Sequence, residues 1–590
     1  MEQKHYYTDE RNAQIVIALL KEHGIKRVVA NPGTTNLAFV GSVQNDPWFE
    51  MYSADDERHG GYLACGMAAE SGEPVVLSCT GATAGRNYLP ALTEAYYRKL
   101  PVFAITSSQI ISHEGQLISQ FADRRVLPND AAKLSVQVPP VYTDAQAKDC
   151  AVAVNKAILE LGRRGGGPVH INLETYYAGT FNTPQLPMVK KIVRHYVDSE
   201  IWPTLDSNMK IAIWVGSHKC FSAREVHSME SFVRSHNCVV LCDATSNYYG
   251  VNRVVSAMVA AQRGIRENPK FSEVHPDLII HIGEVSNDYS TQGYLNGLAP
   301  VWRVNPDGEV RDRFGRLEHV FEMPESVFFD HYACDKSGSV AFCKAWQEAD
   351  AEIRKHLPDL PFSNLWIAKT ILPRIPETAL FHFGLSTSLQ MWTSQLQIAK
   401  VPTISNVGVC GIDGILSAAI GASLASPEKL VYCVLGDLAF FYDLNALGNR
   451  HIGNNLRIIL VNNGCGAMFH SPTVITSQFG AQVNDFTAAG RHFGNKSKDL
   501  VRHFVTDLGF KYLTASTKDE LLVVMDEFLS LDGKQSLVLE CFTDADDDGQ
   551  GFAIRDGAYA YEKPQAVSPV GAVKKIVPQR VKNAIKELIR

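Results

Sequence analysis

SNVGVCGIDGILSAAIGA (Ser405 to Ala422) and VYCVLGDLAFFYDLNALGNRHIGNNLRIILVNNGCGAMF (Val431 to Phe469) make up most of the stretch from Pro402 to Phe469, and its reading decides the fold. VYCVLGD is a short apolar strand that stops on Gly-Asp, DLNALGNRH is helical, and LRIILVNN is a second apolar strand ending on two asparagines. This is a βαβ unit with oxygen ligands at the carboxyl ends of both strands, where open α/β sheets bind ligands. Asp437 offers a hard carboxylate and Asn463 an amide oxygen, a pair that suits Mg2+ better than zinc. A metal held by so few protein groups shares its shell with phosphate oxygens and water, so a diphosphate is the natural partner. Parallel strands also end in Asp or Asn merely to cap the next helix, and spacing alone leaves both readings open.

Gly436-Asp437-Leu438, the 24 residues Ala439 to Asn462, and then Asn463 resemble the GDG…NN signature of thiamine-diphosphate (ThDP) enzymes, with Leu438 in place of the third glycine. The variant GDL followed by YDLNAL, and the upstream SNxGxxGIDGxLS, resemble most the menaquinone-pathway branch, the SEPHCHC synthase or MenD group. The resemblance implies an α/β fold of three doubly wound parallel-sheet domains. These are an aminopyrimidine-binding (PYR) domain over 1–187, a middle domain over 188–355 and a diphosphate-binding (PP) domain over 356–560, followed by a tail over 561–590.

Bulk properties agree with several domains: 590 residues is the length of about three or four. A net charge of −7 and a pI near 6.3 give no argument for nucleic acid or an anionic membrane surface. MEQKHYYTDE has none of the features of a signal peptide, and no apolar run is long enough to span a bilayer. The twelve cysteines are scattered without CxxC pairs, and several sit in apolar strands, as Cys433 and Cys541 do. Buried reduced thiols in a cytoplasmic protein are the expectation.

Taken from its start, the chain predicts an amphipathic helix over Asp9 to Gly24 and a strand from Arg27 to Ala30 that ends in the turn Asn31-Pro32-Gly33-Thr34-Thr35. A strand from Met51 to Ala54 then delivers Asp55-Asp56-Glu57 to a helix over Arg58 to Ala69. A carboxylate there can be an ordinary helix cap, worth about 0.3–1 kcal/mol. By resemblance, Glu57 matches the family's catalytic glutamate. Strands from Pro74 to Cys79, Pro101 to Thr106 and Pro168 to Asn172 complete this part, and the loop HEGQLISQ contributes Gln116 near the substrate pocket by resemblance. His59, His113 and His470 receive no role, because lone histidines are more often structural or solvated. The middle region alternates strands and helices without a phosphate-binding glycine fingerprint, only Gly283 following the strand that ends at Ile282, so FAD is not expected. VKNAIKELIR at the end reads as a basic amphipathic helix docking on the protein's own surface.

The resemblance also implies the chemistry. Glu57 hydrogen-bonds N1′ of the aminopyrimidine in a dry pocket, and ThDP itself supplies the reactive carbanion. Asp437, Asn463 and the backbone oxygen of Cys465 hold Mg2+. The amides of Leu438 and Ala439 and the hydroxyl of Ser386 face the diphosphate. Cys410, Gly411 and Ile412 meet the pyrimidine, Ile412 propping the bent cofactor, and Met468 and Phe469 lie where the reacting carbonyls meet. Each site is then shared between two copies, which makes a homodimer or homotetramer the expected assembly.

Departures from the menaquinone branch bear on the substrate. That branch binds two acidic substrates with several arginines, and here the corresponding places hold Thr35, Gln109, Gln390 and Val407. Losing several charge-assisted contacts of about 1.5–3 kcal/mol each argues against that reaction. The expectation is a carboligase that decarboxylates a 2-oxo acid such as pyruvate and adds the acyl unit to a second carbonyl compound, with Thr35, Gln116, Gln390 and Phe469 near the substrates. Simple decarboxylation and C–C hydrolysis on the same cofactor are the alternatives. A ThDP-binding scaffold without activity is the reading from another class, and it has no need of Glu57.

Overall fold

The structure is a computed structural model that describes residues 6–123, 126–176, 179–206, 208–396, 401–531 and 533–562. The helix expected at VKNAIKELIR lies outside the described residues. The chain divides into two compact units, one of Met1–Thr204 with Pro300–Phe328 and one of Leu205–Ala299 with Phe329–Arg590. The strands form three sheets, and every described pairing in them is parallel, giving the expected α/β architecture.

In the first unit a six-stranded sheet runs Glu50–Ser53, Arg27–Ala30, Val75–Thr80, Val102–Ser108, Val169–Glu174, Ser135–Val138. In the second unit another runs Thr403–Ser405, Leu380–Phe383, Val431–Gly436, Leu456–Asn462, Leu537–Phe542, Lys511–Ala515. Counted along the chain within each sheet, both have the order 2-1-3-4-6-5. The order reverses between the first and third strands, and at such a switch point the helices leave on opposite faces and open a crevice at the carboxyl ends. The remaining parallel strands are Arg253–Val255, Cys238–Cys242, Ile211–Val215 and Leu278–Ile282, adjacent in that order in the second unit. In the first unit, Val301–Val304, Leu317–Glu322 and Val193–Tyr196 pair in that order.

The central strands are apolar throughout because helices cover both faces. Val431 to Leu435 and all of Leu456–Asn462 are buried. On one face Val434, Ile459, Val461 and Leu539 pack with Trp392 and Phe381; on the other Leu435, Ile458 and Leu460 pack with Ile415, Ile420 and Phe440.

One local expectation fails. DLNALGNRH does not form the α-helix of the βαβ unit: the helix is Asp437–Tyr442, followed by a short 3-10 segment, Leu444–Gly448. Asp443 explains the break. Its carboxylate accepts from the backbone N–H of Ser417 at 2.6 Å and the Ser417 hydroxyl at 2.8 Å, so it caps the helix Ile415–Ala425 instead of continuing its own.

Candidate cofactor site

The strands Val431–Gly436 and Leu456–Asn462 lie side by side with Gly436 level with Val461. Asp437 directly follows Gly436 and Asn463 directly follows Asn462, so both start from neighbouring strand ends. Asp437 is 3 % exposed and opens the helix Asp437–Tyr442. Burial pushes its carboxyl up to about 7, the charges of Glu540 and Asp548 add to the rise, and the backbone N–H groups of Asp437 and Leu438 oppose it. Burial raises Glu540 and Asp548 as well. A hard divalent cation at Asp437 would offset the cost of burying its charge.

Asn463 donates its Nδ2 to Oδ2 of Asp548 at 2.8 Å, so its Oδ1 is turned the other way, where it accepts a long bond from the Cys465 amide at 3.3 Å. Gly464 has φ +78°, a conformation that favours glycine, and it turns the chain between Asn463 and Cys465. The Cys465 carbonyl accepts from Ala467 N at 3.1 Å and keeps a second lone pair. Its thiol is buried, and burial first, then the nearby carboxylates, push it up to about 12, so the sulfur stays protonated. Among the described residues no three His, Cys, Asp or Glu side chains are grouped to hold a metal. The donors available on the rim are one carboxylate, one amide oxygen and one carbonyl, the oxygen set that suits Mg2+.

Ser386 follows the strand Leu380–Phe383, whose end packs so tightly that a Cβ on Gly384 would sit 2.8 Å from the Val434 carbonyl. Ser386 itself has φ +59° and ψ −123°, a strained conformation for a residue with a side chain, and its hydroxyl lies 3.1 Å from the sulfur of Met468. Cys410, at φ +55°, is a second strained position among the expected cofactor contacts. It is exposed together with Val409, while Ile412 is 38 % exposed and Val407 is buried. Gln390 lies half-buried on the helix Thr387–Gln395 after Ser386, and Phe469 packs against Cys465, Val483 and Ala488. The Leu438 amide is turned to the Asp437 carboxylate, and Ala439 is buried behind it.

In the first unit the two readings of the DDE sequence separate. Asp56 is the cap, its Oδ1 accepting from His59 N at 2.8 Å, while Glu57 is the first residue of the helix Glu57–Ser71, half-buried and without a hydrogen bond among the described residues. The backbone just before it is fixed by Asn31, whose Nδ2 donates to the Ala54 carbonyl at 2.8 Å and whose Oδ1 accepts from the Tyr88 hydroxyl at 2.7 Å. Thr35 is 3 % exposed and donates its hydroxyl to the Ser107 carbonyl at 2.8 Å. Gln109 holds His113 at 2.8 Å, and Gln116 is exposed.

Nothing local in the sequence marks Asp548, Thr543 or Asn364. Asp548 belongs to the run DADDDG after the strand Leu537–Phe542; an acidic run beginning a helix looks like capping, which Asp544 does perform, accepting from the N–H groups of Asp546 and Asp547. Elsewhere, Gly283 has a packing reason: a Cβ on it would lie 3.0 Å from the Gly216 backbone.

Residues 11–127 match the thiamine pyrophosphate enzyme, N-terminal TPP binding domain, and residues 386–541 the C-terminal TPP binding domain of the same enzymes. The chain belongs to the ThDP-dependent enzymes. It is 29 % identical to the 2-succinyl-5-enolpyruvyl-6-hydroxy-3-cyclohexene-1-carboxylate synthase of Phocaeicola vulgatus, over 92 % of this chain and 97 % of that protein. It is equally similar, at 29 %, to the synthase of that name from Bacteroides thetaiotaomicron (92 % and 98 % covered), and 27 % identical to that of Christiangramia forsetii (90 % and 96 %). No helix among the described residues is long and apolar enough to cross a membrane.

Proposed function

We propose that this enzyme is a ThDP- and Mg2+-dependent carboligase that decarboxylates a 2-oxo acid, pyruvate as first choice, and joins the remaining acyl unit to a second carbonyl compound. The observation that carries the reading is that Asp437, buried, and Asn463, its amide turned by Asp548, follow the ends of two adjacent parallel strands. Bound ThDP would supply the carbanion chemistry. The chain's own contributions are orientation and a proton relay: Asp437, Asn463 and the Cys465 carbonyl hold the metal, Ser386 meets the diphosphate, Cys410, Gly411 and Ile412 meet the pyrimidine, and Glu57 shares a proton with it. Supply of Glu57 and of the metal clamp by different copies, in a homodimer or homotetramer, belongs to the same reading. Products from labelled pyruvate, with and without candidate carbonyl acceptors, test it. Carbon–carbon bond formation with an acceptor is the expected outcome, and release of the aldehyde alone would replace it with simple decarboxylation.

The names of the relatives favour a second reading, synthesis of the menaquinone intermediate. The side chains at Thr35, Gln109, Gln390 and Val407 weigh against it: none is cationic, and Thr35 and Val407 are buried. Turnover of 2-oxoglutarate with isochorismate at ordinary enzymatic rates would establish the second reading in place of the first.

A further inference from the structure

We infer that Asp548 is the positioning residue of the metal clamp: it sets which face of the Asn463 amide is presented to the cation. The inference rests on the metal-binding reading of Asp437 and Asn463 above. Asp548 is 1 % exposed, on the first turn of the helix Ala545–Gly557, and every polar contact of its carboxylate is directional. Its Oδ1 accepts from the backbone N–H of Asn364 at 2.6 Å, and its Oδ2 accepts from the Thr543 hydroxyl at 2.6 Å and from Nδ2 of Asn463 at 2.8 Å.

An asparagine amide has an oxygen that can bind a cation and an NH2 that repels one, and it exchanges them by a half-turn about its last bond. A carboxylate, which only accepts, forces the NH2 of Asn463 toward itself and so the oxygen away from it. The Cys465 amide, a donor at 3.3 Å from that oxygen, agrees with the same orientation from the other side. Asp548 is in turn held from both ends. Asn364 fixes one oxygen, and the Trp392 indole N–H bonds the Asn364 side chain at 2.7 Å. The neighbouring Gly549 lets the helix lie directly on the turn that follows Cys465, since a Cβ there would come within 2.9 Å of the His470 backbone carbon. Groups that orient a ligand side chain in this way typically change metal affinity ten- to a hundredfold when replaced.

The substitution that isolates this role is Asp548→Asn. The backbone N–H of Asn364 requires an oxygen opposite it, so the new amide places its NH2 against Asn463. Thr543 can adapt by turning its hydroxyl from donor to acceptor. Asn463 cannot, except by rotating its own NH2 toward the cation and the Cys465 amide. Exchanging the pair, Asn463→Asp with Asp548→Asn, restores a donor facing an acceptor at unchanged net charge and leaves a carboxylate oxygen for the metal.

Calorimetric titration of Mg2+ in the presence of saturating ThDP, alongside thermal unfolding of each variant, is the test. The expected result is a tenfold or greater loss of Mg2+ affinity in Asp548→Asn and recovery to within about threefold of the parent in the exchanged pair, a rescue that a purely structural carboxylate would not show. Equal Mg2+ affinity in the parent and Asp548→Asn overturns the inference, as does an exchanged pair that binds no better than Asp548→Asn. If Asp548→Asn does not fold, the exchanged pair decides alone: parent-like binding supports the positioning role, and loss of binding overturns it. Absence of Mg2+ binding by the parent protein with ThDP would instead remove the metal reading itself.

Discussion

The hydroxyl of Ser386 lies 3.1 Å from the sulfur of Met468, although 82 residues separate them. The contact joins the loop after the strand Leu380–Phe383 to the 3-10 segment Ala467–His470 beyond the strand Leu456–Asn462. It is made by a serine in a backbone conformation that side chains avoid, which marks a place where stability is given up for position.

Ser386→Gly should therefore stabilise the fold while weakening cofactor binding. Relief of a strained φ is worth roughly 1–3 kcal/mol, and the extra freedom of glycine in the unfolded chain returns about 0.5–1 of it, leaving a net gain of about 1 kcal/mol. Urea unfolding of the cofactor-free protein measures the first effect and ThDP titration the second.

Glu57→Gln should leave ThDP affinity within a few-fold and lower kcat by about 10²–10⁴, the usual weight of a positioned proton-transfer group. Helix stability should scarcely change, because the cap is Asp56 and not Glu57. Carboligase or decarboxylase activity that persists unchanged in a variant that still binds ThDP would remove Glu57 from the mechanism.

Asp437→Asn deletes the one charged donor of the proposed clamp. A hydrogen bond or coordination contact to a charged group is worth about 1.5–3 kcal/mol, so Mg2+-dependent ThDP affinity should fall by roughly 10- to 150-fold. The protein should be no less stable without cofactor, since a buried carboxyl held up at about 7 gains from neutralisation.

Acid should destabilise the second unit through His382, which is 2 % exposed and which burial pushes down to about 4 from the ordinary 6.5. The unfolded chain takes up this proton below pH 6.5 and the folded chain only below about 4, so stability is full above 6.5 and declines as pH falls between the two. At pH 5 the loss from this group is about 2 kcal/mol. His382→Leu should flatten the dependence between pH 7 and 5 in urea titrations, and an unchanged slope would assign it elsewhere.

All twelve cysteines are free, and only Cys220, Cys334 and Cys410 are exposed. A thiol reagent should label about three groups quickly in the native cofactor-free protein and the rest on unfolding. Saturating ThDP with Mg2+ should protect Cys410 alone of the three, read by mass spectrometry; equal labelling with and without cofactor would move the pyrimidine contact away from this loop.

How much was legible varies with the kind of signal. The strand Arg27–Ala30 and the Ile282 end of Leu278–Ile282 were readable, because each has an apolar stretch at its centre that is covered on both faces. Ser135–Val138 and Leu317–Glu322 were not: both are half-buried edge or near-edge strands with mixed composition, and only their neighbours make them strands. The helix after Asp437 begins six residues before the run DLNALGNRH that the sequence marks as helical, since nothing local reveals that Asp443 leaves its own helix to cap Ser417.

The sequence by itself determined the family, the parallel α/β class and the residues at strand ends, because apolar runs, their Gly-Asp and Asn-Asn punctuation and their spacing are local properties of the chain. Only the tertiary structure decided that Asp56 takes the capping role beside Glu57, that Ser386 and Cys410 sit in strained backbone, and that Asp548 orients Asn463 across 85 positions. Those facts depend on which hydrogen-bond partner each polar group finds once buried, and burial is settled by packing, which no single stretch of chain contains.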